Sequence, residues 1–111
     1  MSFNNSVYTR EGNSWNASTL YSFAKDKGYK VEEIPLQDIS LNATLFPMNN
    51  FEDFILEVKM LLDCSLEYPI IIDDRGIVAD GYHRICKAII EEKKSIKAIR
   101  LLEMPKPDMR A

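Results

Sequence analysis

Residues 69–84 of this 111-residue chain have the sequence PIIIDDRGIVADGYHR. Residues 69–73 are apolar and β-branched up to the final aspartate, which is typical of a buried strand. Residues 74–76 favour a tight turn, and residues 77–79 supply a hairpin partner for the strand. Asp80 and Gly81 interrupt this second strand, and a helix is predicted to begin at about Tyr82. The stretch therefore predicts a β-hairpin that leads directly into a helix.

A second helix is predicted immediately upstream of this unit. Asn50 is a candidate N-cap, and Glu52 and Asp53 lie in the first turn, where the helix dipole favours negative charge. Apolar side chains then recur on one stripe at helical spacing, which predicts a helix that faces the core. The stripe consists of Phe51, Phe54, Ile55, Val58, Leu61 and Leu62.

The segments that follow the hairpin predict a helix and a strand. The helix that begins at Tyr82 is expected to bury a face formed by Tyr82, Ile85, Cys86 and Ile89. Residues 95–102 alternate in polarity and predict a closing strand.

A first helix and a strand are predicted near the N-terminus. Asn16 is a candidate N-cap, Trp15 and Leu20 are placed as a hydrophobic staple, and Gly28 is placed to end the helix in a left-handed conformation. Residues 29–34 then predict a strand that Pro35 stops.

The remaining segments are polar. Residues 1–13 are expected to be loosely held, apart from a short strand at Val7 and Tyr8, and an Asn- and Pro-rich loop is predicted at about residues 40–49. With 46% apolar and 28% charged residues, the chain has the composition of one globular domain. The predicted fold class is α/β (α+β), a small mixed sheet with packed helices.

Charge is unevenly distributed around a formal net value of −3. Residues 1–82 contain 6 basic and 13 acidic side chains, whereas residues 83–111 contain 8 basic and 4 acidic ones. The acidic balance argues against a broad nucleic-acid-binding surface. No apolar stretch approaches the length of a membrane helix, and the N-terminus lacks the pattern of a signal peptide, so a cytoplasmic location is expected.

Cysteine and histidine are scarce in this sequence. Cys64 and Cys86 are expected to be reduced thiols that behave as buried small apolar residues. Because His83 is the only histidine and no Cys-x-x-Cys pair occurs, no metal site is predicted.

The chemically active side chains are concentrated in residues 80–84, Asp-Gly-Tyr-His-Arg. A helix N-terminus attracts anions, and Gly81 lets the backbone turn sharply and approach a ligand. Arg84 can form two parallel hydrogen bonds with a phosphate, and His83 can donate to phosphate or transfer a proton. Asp80 is placed to orient a ribose, a magnesium ion or a substrate hydroxyl.

Each of these residues also has a structural alternative. Asp80 can serve as an N-cap, and Gly81 can be required only for the turn. His83 can be a half-exposed residue of the first turn, and Arg84 can pair with a nearby carboxylate. The residues alone leave both interpretations open.

The core of residues 69–102 resembles the ParB/sulfiredoxin-like superfamily, whose members share a strand pair, a Gly-x-x-Arg-type turn, a helix and a closing strand. Residues 31–39, VEEIPLQDI, are similar to the opening strand and turn of that superfamily. The resemblance covers about residues 29–102 as one ParB N-terminal-like nucleotide-binding domain. Residues 1–28 are then an added N-terminal segment with one helix, and residues 103–111 form a tail.

The resemblance implies a nucleotide site, because the turn binds nucleotide phosphates in this superfamily. Carried over by position, Gly81, Tyr82, His83 and Arg84 are the expected nucleotide- or phosphate-binding residues, and Asp80 and His83 are the catalytic candidates. The implied ligand is a nucleoside triphosphate, ATP or CTP, with magnesium. NTP hydrolysis and phosphoryl transfer are the implied reactions, and whether the chain catalyses either is left open.

Relatives in the superfamily have three known activities. Sulfiredoxins place a catalytic cysteine directly before the His-Arg pair, where this chain has Tyr82, so reduction of a sulfinic acid is not expected. Free-serine kinases share an Asp-Gly-His-His-Arg turn and use an acidic residue after the opening strand, for which Asp38 is the nearest candidate. ParB proteins bind and hydrolyse CTP but carry a helix-turn-helix DNA-binding domain downstream. The nine residues that follow Leu102 here are too few for such a domain, so centromere binding of the ParB kind is not expected.

Metal-assisted phosphoryl transfer needs phosphate-binding groups and at least one carboxylate. Asp73, Asp74 and Asp80 are expected to cluster near the turn and to meet that need.

Two other functions remain as alternatives. The first is a non-catalytic regulatory or protein-binding module of plasmid or phage type, which the acidic character of residues 1–82 favours. A DNA-associated ParB-like protein would use the basic C-terminal segment, although such charges usually form a solvated face and nucleic acid is not expected from charge alone. The segment contains Lys87, Lys93, Lys94, Lys97 and Arg100.

Overall fold

The computed structural model describes residues 6–39 and 49–110 of the chain. In chain order the elements are β1 (Val7–Arg10), β2 (Asn13–Asn16), α1 (Ala17–Lys27), β3 (Glu32–Pro35), a 3₁₀ helix (Leu36–Asp38), α2 (Phe51–Asp63), β4 (Ile70–Ile72), β5 (Val78–Asp80), α3 (Tyr82–Ile90), β6 (Ser95–Arg100) and β7 (Met109–Arg110). Most of the loop predicted at about residues 40–49 lies outside the described residues.

The central sheet has four strands in the order β3-β6-β4-β5. β3 pairs with β6 and β4 pairs with β5 in antiparallel fashion, whereas β4 and β6 are parallel. The β4–β5 hairpin contains an irregularity between Ile71 and Ile72. The predicted α/β class with a small mixed sheet is therefore confirmed, and so are the hairpin and the closing strand.

Both faces of β4 are covered, which explains why its sequence is continuously apolar. Ile70 and Ile72 face α3, and Ile71 faces α1 on the other side of the sheet. One core cluster consists of Ile34, Ile70, Ile72, Val78, Ile85, Ala88, Ile96 and Ala98. The second consists of Trp15, Leu20, Ala24, Ile71, Ala79, Ile99 and Leu101.

The two ends of the chain form a second sheet of three strands, in the order β1-β2-β7. Trp15 Nε1 donates a hydrogen bond to the Pro105 carbonyl at 2.8 Å, and the Asn16 backbone N–H donates to Asp108 Oδ2 at 2.8 Å. The expectation that residues 1–13 are loosely held is wrong for residues 7–13, because β7 and the buried Trp15 keep the first hairpin in place. The boundaries at residues 28 and 102 remain a prediction.

The first hairpin is also attached to the central sheet through buried Asp73. Its Oδ2 accepts hydrogen bonds from the Tyr8 hydroxyl at 2.6 Å and from Arg10 Nη1 at 3.1 Å, and its Oδ1 accepts from the backbone N–H groups of Arg75 and Ile77, both at 2.8 Å. Burial raises the pKa of Asp73, but these hydrogen bonds outweigh it and leave the pKa below its ordinary value. Asp73 therefore connects the β4–β5 turn to β1 as a carboxylate.

The first two helices begin and end largely as predicted. Asn16 is the N-cap residue of α1 without a side-chain capping bond, and Gly28 ends α1 in the left-handed conformation, at φ +72°. Asn50 caps α2, and its Oδ1 accepts from the Asp53 N–H at 2.8 Å.

The expectation that α2 faces the core is wrong. None of its residues is buried, and Phe51 and Leu62 are 75% and 64% exposed. The side of α2 that faces the protein is centred on Glu57, which meets His83 of α3 at 2.7 Å. The protein-facing side of α2 thus combines this polar contact with half-buried Met60 and Leu61, and the rest of the predicted apolar stripe is exposed.

The buried face of α3 agrees with the predicted one at Ile85 and Tyr82 but differs at Ile89 and Arg84. Arg84, Ile85 and Ala88 are buried, whereas Ile89 is 50% exposed. The difference arises because the Arg84 side chain is directed into the protein, which rotates the helix relative to its apolar stripe. No described helix has the length and apolar character needed to cross a membrane.

Replacing Asp73 should detach the first hairpin from the sheet. We expect Asp73→Ala to lower the free energy of unfolding by about 3 kcal/mol, because it removes the buried acceptor of four partly buried hydrogen bonds. Asp74→Ala is the matched control, since it removes only a half-exposed ion pair with Arg10 and should cost less than about 1 kcal/mol. Urea denaturation measures both values, and equal losses would contradict the assigned role of Asp73.

Candidate functional site

The site begins at Gly81, the N-cap residue of α3, whose φ is +109°. A side chain is strained in this backbone conformation. A Cβ at this position would also overlap Ile70 Cγ2 and lie 2.8 Å from Ile70 Cβ. Gly81 is therefore needed for the turn and for close packing of α3 on β4. The position that a Cβ would occupy faces the core and not a ligand.

Arg84 lies within the protein, 5% exposed. Its Nη1 donates to the Tyr21 hydroxyl at 3.0 Å and to the Pro69 carbonyl at 3.2 Å. Nη1 also lies 3.9 Å from Asp80 Oδ2, and the guanidinium carbon is 6.0 Å from the centre of the Tyr68 ring. The guanidinium is thus held in a set orientation by groups from α1, from the start of β4 and from the end of β5.

Asp80 contributes a partly buried carboxyl group beside this guanidinium. Its Oδ2 accepts a hydrogen bond from the Tyr21 hydroxyl at 3.0 Å. Burial raises the pKa of Asp80, and the Tyr21 hydrogen bond and the charges of Arg84 and His83 oppose the rise without cancelling it. Asp80 is therefore a weaker acid than an exposed aspartate, which suits a group that exchanges a proton.

His83 and Tyr82 face different neighbours. His83 Nε2 lies 2.7 Å from Glu57 Oε2, which joins α3 to α2. The Tyr82 hydroxyl donates to the Val78 carbonyl at 3.1 Å, and burial raises the pKa of this phenol. The first turn of α3 thus contacts β5 through Tyr82 and α2 through His83.

Tyr21 is the site residue that the sequence analysis missed. Its hydroxyl lies within hydrogen-bond distance of Asp80, Arg84 and the Pro69 carbonyl, so α1 takes part in the site. Glu57 was also missed as a partner of His83. Nothing in the local sequence marks either residue, because their partners lie 26 to 63 positions away along the chain.

The three aspartates predicted near the turn do not form a set that could hold a metal ion. Asp73 is engaged by Tyr8 and Arg10, and Asp74 forms an ion pair with Arg10 at 2.6 Å. Within residues 6–39 and 49–110, no three histidine, cysteine or acidic side chains converge as a metal site requires. Asp80 is the carboxylate that stays beside the turn.

The two cysteines differ in burial. Cys64 is buried as predicted, whereas Cys86 is only half-buried. Burial raises the pKa of both thiols, which disfavours the reactive thiolate.

Three basic side chains of the C-terminal segment contact acceptors within the chain. Lys87 Nζ donates to the carbonyls of Leu62 and Cys64, Lys97 pairs with Glu67 at 2.9 Å, and Arg100 lies 3.9 Å from Glu32. These contacts reduce the charge available for a nucleic-acid backbone.

A cleft of about 430 Å³ lies at the opposite end of α3 from the predicted site. Polar and charged side chains predominate in its lining, and the sequence analysis did not single it out. The lining residues are Cys64, Ser65, Leu66, Glu67, Lys87, Glu91 and Lys93.

Of three comparisons with known proteins, the comparison with solved structures found a similar chain. No family model matches the chain, and no curated protein matches it. A solved structure described as a Pnob8-like ParB-N domain is similar to 65% of this chain, with 27% sequence identity and a TM-score of 0.45. The similar region spans 29% of that structure's chain.

A methyl group at residue 81 should disturb the start of α3. We expect Gly81→Ala to lower the free energy of unfolding by about 3 kcal/mol, from backbone strain together with the clash against Ile70. Gly76→Ala is the matched control, because Gly76 has a φ of +84° but open space around its Cβ position, and it should cost only about 1 kcal/mol. If the two variants unfold at the same urea concentration, the clash with Ile70 does not contribute.

Stability should respond to pH in opposite directions at Asp80 and Asp73. Because the folded pKa of Asp80 is raised, its favourable contribution is complete below about pH 4 and is lost as the pH rises. Asp80→Asn should therefore gain stability relative to the wild type between about pH 4 and pH 7. Because the folded pKa of Asp73 is lowered, its contribution is present above about pH 4 and is lost as the pH falls.

Melting curves of both asparagine variants from about pH 2 to pH 7 test the signs, because the Asp73 contribution changes mainly below about pH 4 and the Asp80 contribution above it. Asp73→Asn should lose stability relative to the wild type as the pH rises, which makes it the internal control for Asp80→Asn. Parallel pH curves for wild type and Asp80→Asn would show that burial does not shift the Asp80 carboxyl.

Proposed function

We propose that this chain is a ParB-like domain that binds the phosphate groups of a nucleotide at the beginning of α3. The observation that carries the proposal is the composition of this helix end, whose first turn contains His83 and Arg84 and no carboxylate. The dipole of a helix is positive at its N-terminus, and the N–H groups of its first turn have no acceptor within the helix. Both properties favour an anion, and a phosphate matches the geometry of a guanidinium.

The orientation of Arg84 supports the same proposal. Tyr21 and the Pro69 carbonyl hold its guanidinium in place, so a phosphate that reaches it would not have to order a flexible side chain. Gly81 supports it indirectly, since its packing on Ile70 determines where the first turn of α3 lies.

The catalytic part of the proposal rests on Asp80 and His83. Asp80 has a raised pKa beside the guanidinium, and His83 is an imidazole within the first turn. These are the groups that would exchange a proton during NTP hydrolysis or phosphoryl transfer. The described residues do not supply a set of metal ligands, so magnesium enters the proposal only as the counter-ion of the triphosphate.

Thermal melting with ATP, CTP, ADP, GTP and inorganic phosphate tests binding. A ligand at about 100 times its Kd adds about 2.7 kcal/mol of stability, which should raise the melting temperature of a domain of this size by several degrees. We expect a rise with at least one nucleoside triphosphate and magnesium. No rise with any of these ligands would overturn the proposal.

Two variants separate contact with phosphate from structural support. His83→Ala and Glu57→Ala both break the contact between α2 and α3, but only His83→Ala removes a group from the first turn. The nucleotide-induced rise should be lost in His83→Ala and kept in Glu57→Ala. Arg84→Lys keeps the charge but not the planar fork and should weaken binding roughly tenfold.

A second candidate is a protein-binding module without catalysis. The exposed apolar side chains of α2 favour it, since exposed apolar patches commonly mark interaction surfaces. Absence of nucleotide binding in the melting experiment, together with normal folding, would favour this candidate over the first.

A further inference from the structure

Five exposed apolar side chains on α2 form a surface that the proposed nucleotide site does not use. Phe51 is 75% exposed, Leu62 is 64% exposed, and the three between them are 36–49% exposed. We call this surface the α2 stripe, and it consists of Phe51, Phe54, Ile55, Val58 and Leu62.

The α2 stripe lies to one side of the contact between α2 and α3. Glu57 contacts His83, and the Leu62 carbonyl accepts from Lys87 Nζ at 3.1 Å, so α2 and α3 lie side by side and run in the same direction. Successive residues of an α-helix are rotated by about 100°. Val58, at the centre of the stripe, is thus rotated by about a quarter turn from Glu57, and the stripe faces outward.

The spacing along the stripe is that of a helix that packs on another helix. Phe51, Ile55, Val58 and Leu62 are separated by four, three and four residues, which is the a/d spacing of a coiled coil over two heptads. Phe54 lies beside this seam and widens it.

Charges beside the stripe select a second copy of this chain as the occupant. Glu52 follows Phe51 and Lys59 follows Val58, so both charges lie on the same flank of the seam. In an antiparallel pair with Phe51 opposite Leu62, Glu52 of one copy lies near Lys59 of the other. Two-fold symmetry repeats this attraction, so two ion pairs form. In a parallel pair, each Glu52 would lie at the level of the other copy's Glu52, and each Lys59 at the level of the other Lys59, so this attraction would be lost.

The area of the stripe is sufficient for a weak dimer. With about 150–250 Å² per aromatic side chain and the exposed fractions above, the stripe exposes roughly 500 Å² per copy. A pair would bury about 1,000 Å², which is at the lower limit for a specific interface. An interface at this limit is expected to form a reversible complex rather than a permanent one.

We propose that the chain forms a symmetric dimer through antiparallel pairing of α2 with α2 of a second copy. The proposal does not rest on nucleotide binding, because no residue of the stripe belongs to the turn at residues 80–84. The interaction hides apolar surface that otherwise faces water.

Sedimentation velocity of the full chain, from low micromolar to several hundred micromolar, tests the dimer. The wild type should shift from monomer to dimer with increasing concentration. Ile55→Glu should remain monomeric throughout. Leu56→Glu is the matched control, because Leu56 is 55% exposed on the same helix but lies outside the stripe, and its dimer should be unchanged. Circular dichroism checks that both variants keep α2.

A charge exchange tests the antiparallel arrangement. Lys59→Glu and Glu52→Lys should each raise the dimer Kd roughly tenfold, because each places like charges across the seam. The double variant Glu52→Lys/Lys59→Glu should restore the wild-type Kd.

A wild-type chain that stays monomeric at all concentrations overturns the proposal. A dimer that survives Ile55→Glu overturns it as well, because the contact then lies elsewhere. Failure of the double variant to recover overturns the antiparallel pairing.

Discussion

The contact between Gly81 and Ile70 determines how α3 lies on the central sheet. No side chain fits between the start of α3 and β4, because a Cβ at residue 81 would overlap the Ile70 side chain. This close approach brings Ile85 and Ala88 into the core and directs Arg84 into the protein, toward Tyr21 and the Pro69 carbonyl. The order of strand, glycine and helix therefore sets both the packing of the domain and the position of the buried Arg84 guanidinium.

The N-terminal segment takes part in the same arrangement. Tyr21 of α1 contacts Asp80 and Arg84, and Tyr8 and Arg10 of β1 contact Asp73. Residues 7–27 thus cover one face of the sheet and also supply polar partners to both ends of the β4–β5 hairpin. Because buried polar groups are costly without hydrogen-bond partners, these contacts make the first hairpin and α1 part of the structure that supports the candidate site.

Two roles are combined in residues 80–84. Arg84 and Gly81 are engaged in contacts that stabilise the fold, and the same contacts orient the end of α3 to which we assign phosphate binding. Asp80 is less favourable for stability, since burial raises its pKa and penalises its charged form. A carboxyl group that weakens the fold at neutral pH beside a buried guanidinium is a feature that a purely structural turn does not require.

The sequence by itself determined the elements with strong local signals. The apolar run of β4, the hairpin, the left-handed Gly28 and the Asn50 cap depend on residues within a few positions of one another, so local physical chemistry is sufficient to predict them. Only the tertiary structure decided which face of α2 is exposed, because an apolar stripe on a 13-residue helix has the same sequence pattern whether it covers a core or another molecule. The tertiary structure also decided the partners of Arg84, His83 and Asp73, since these contacts join residues far apart in sequence whose proximity depends on how the layers pack.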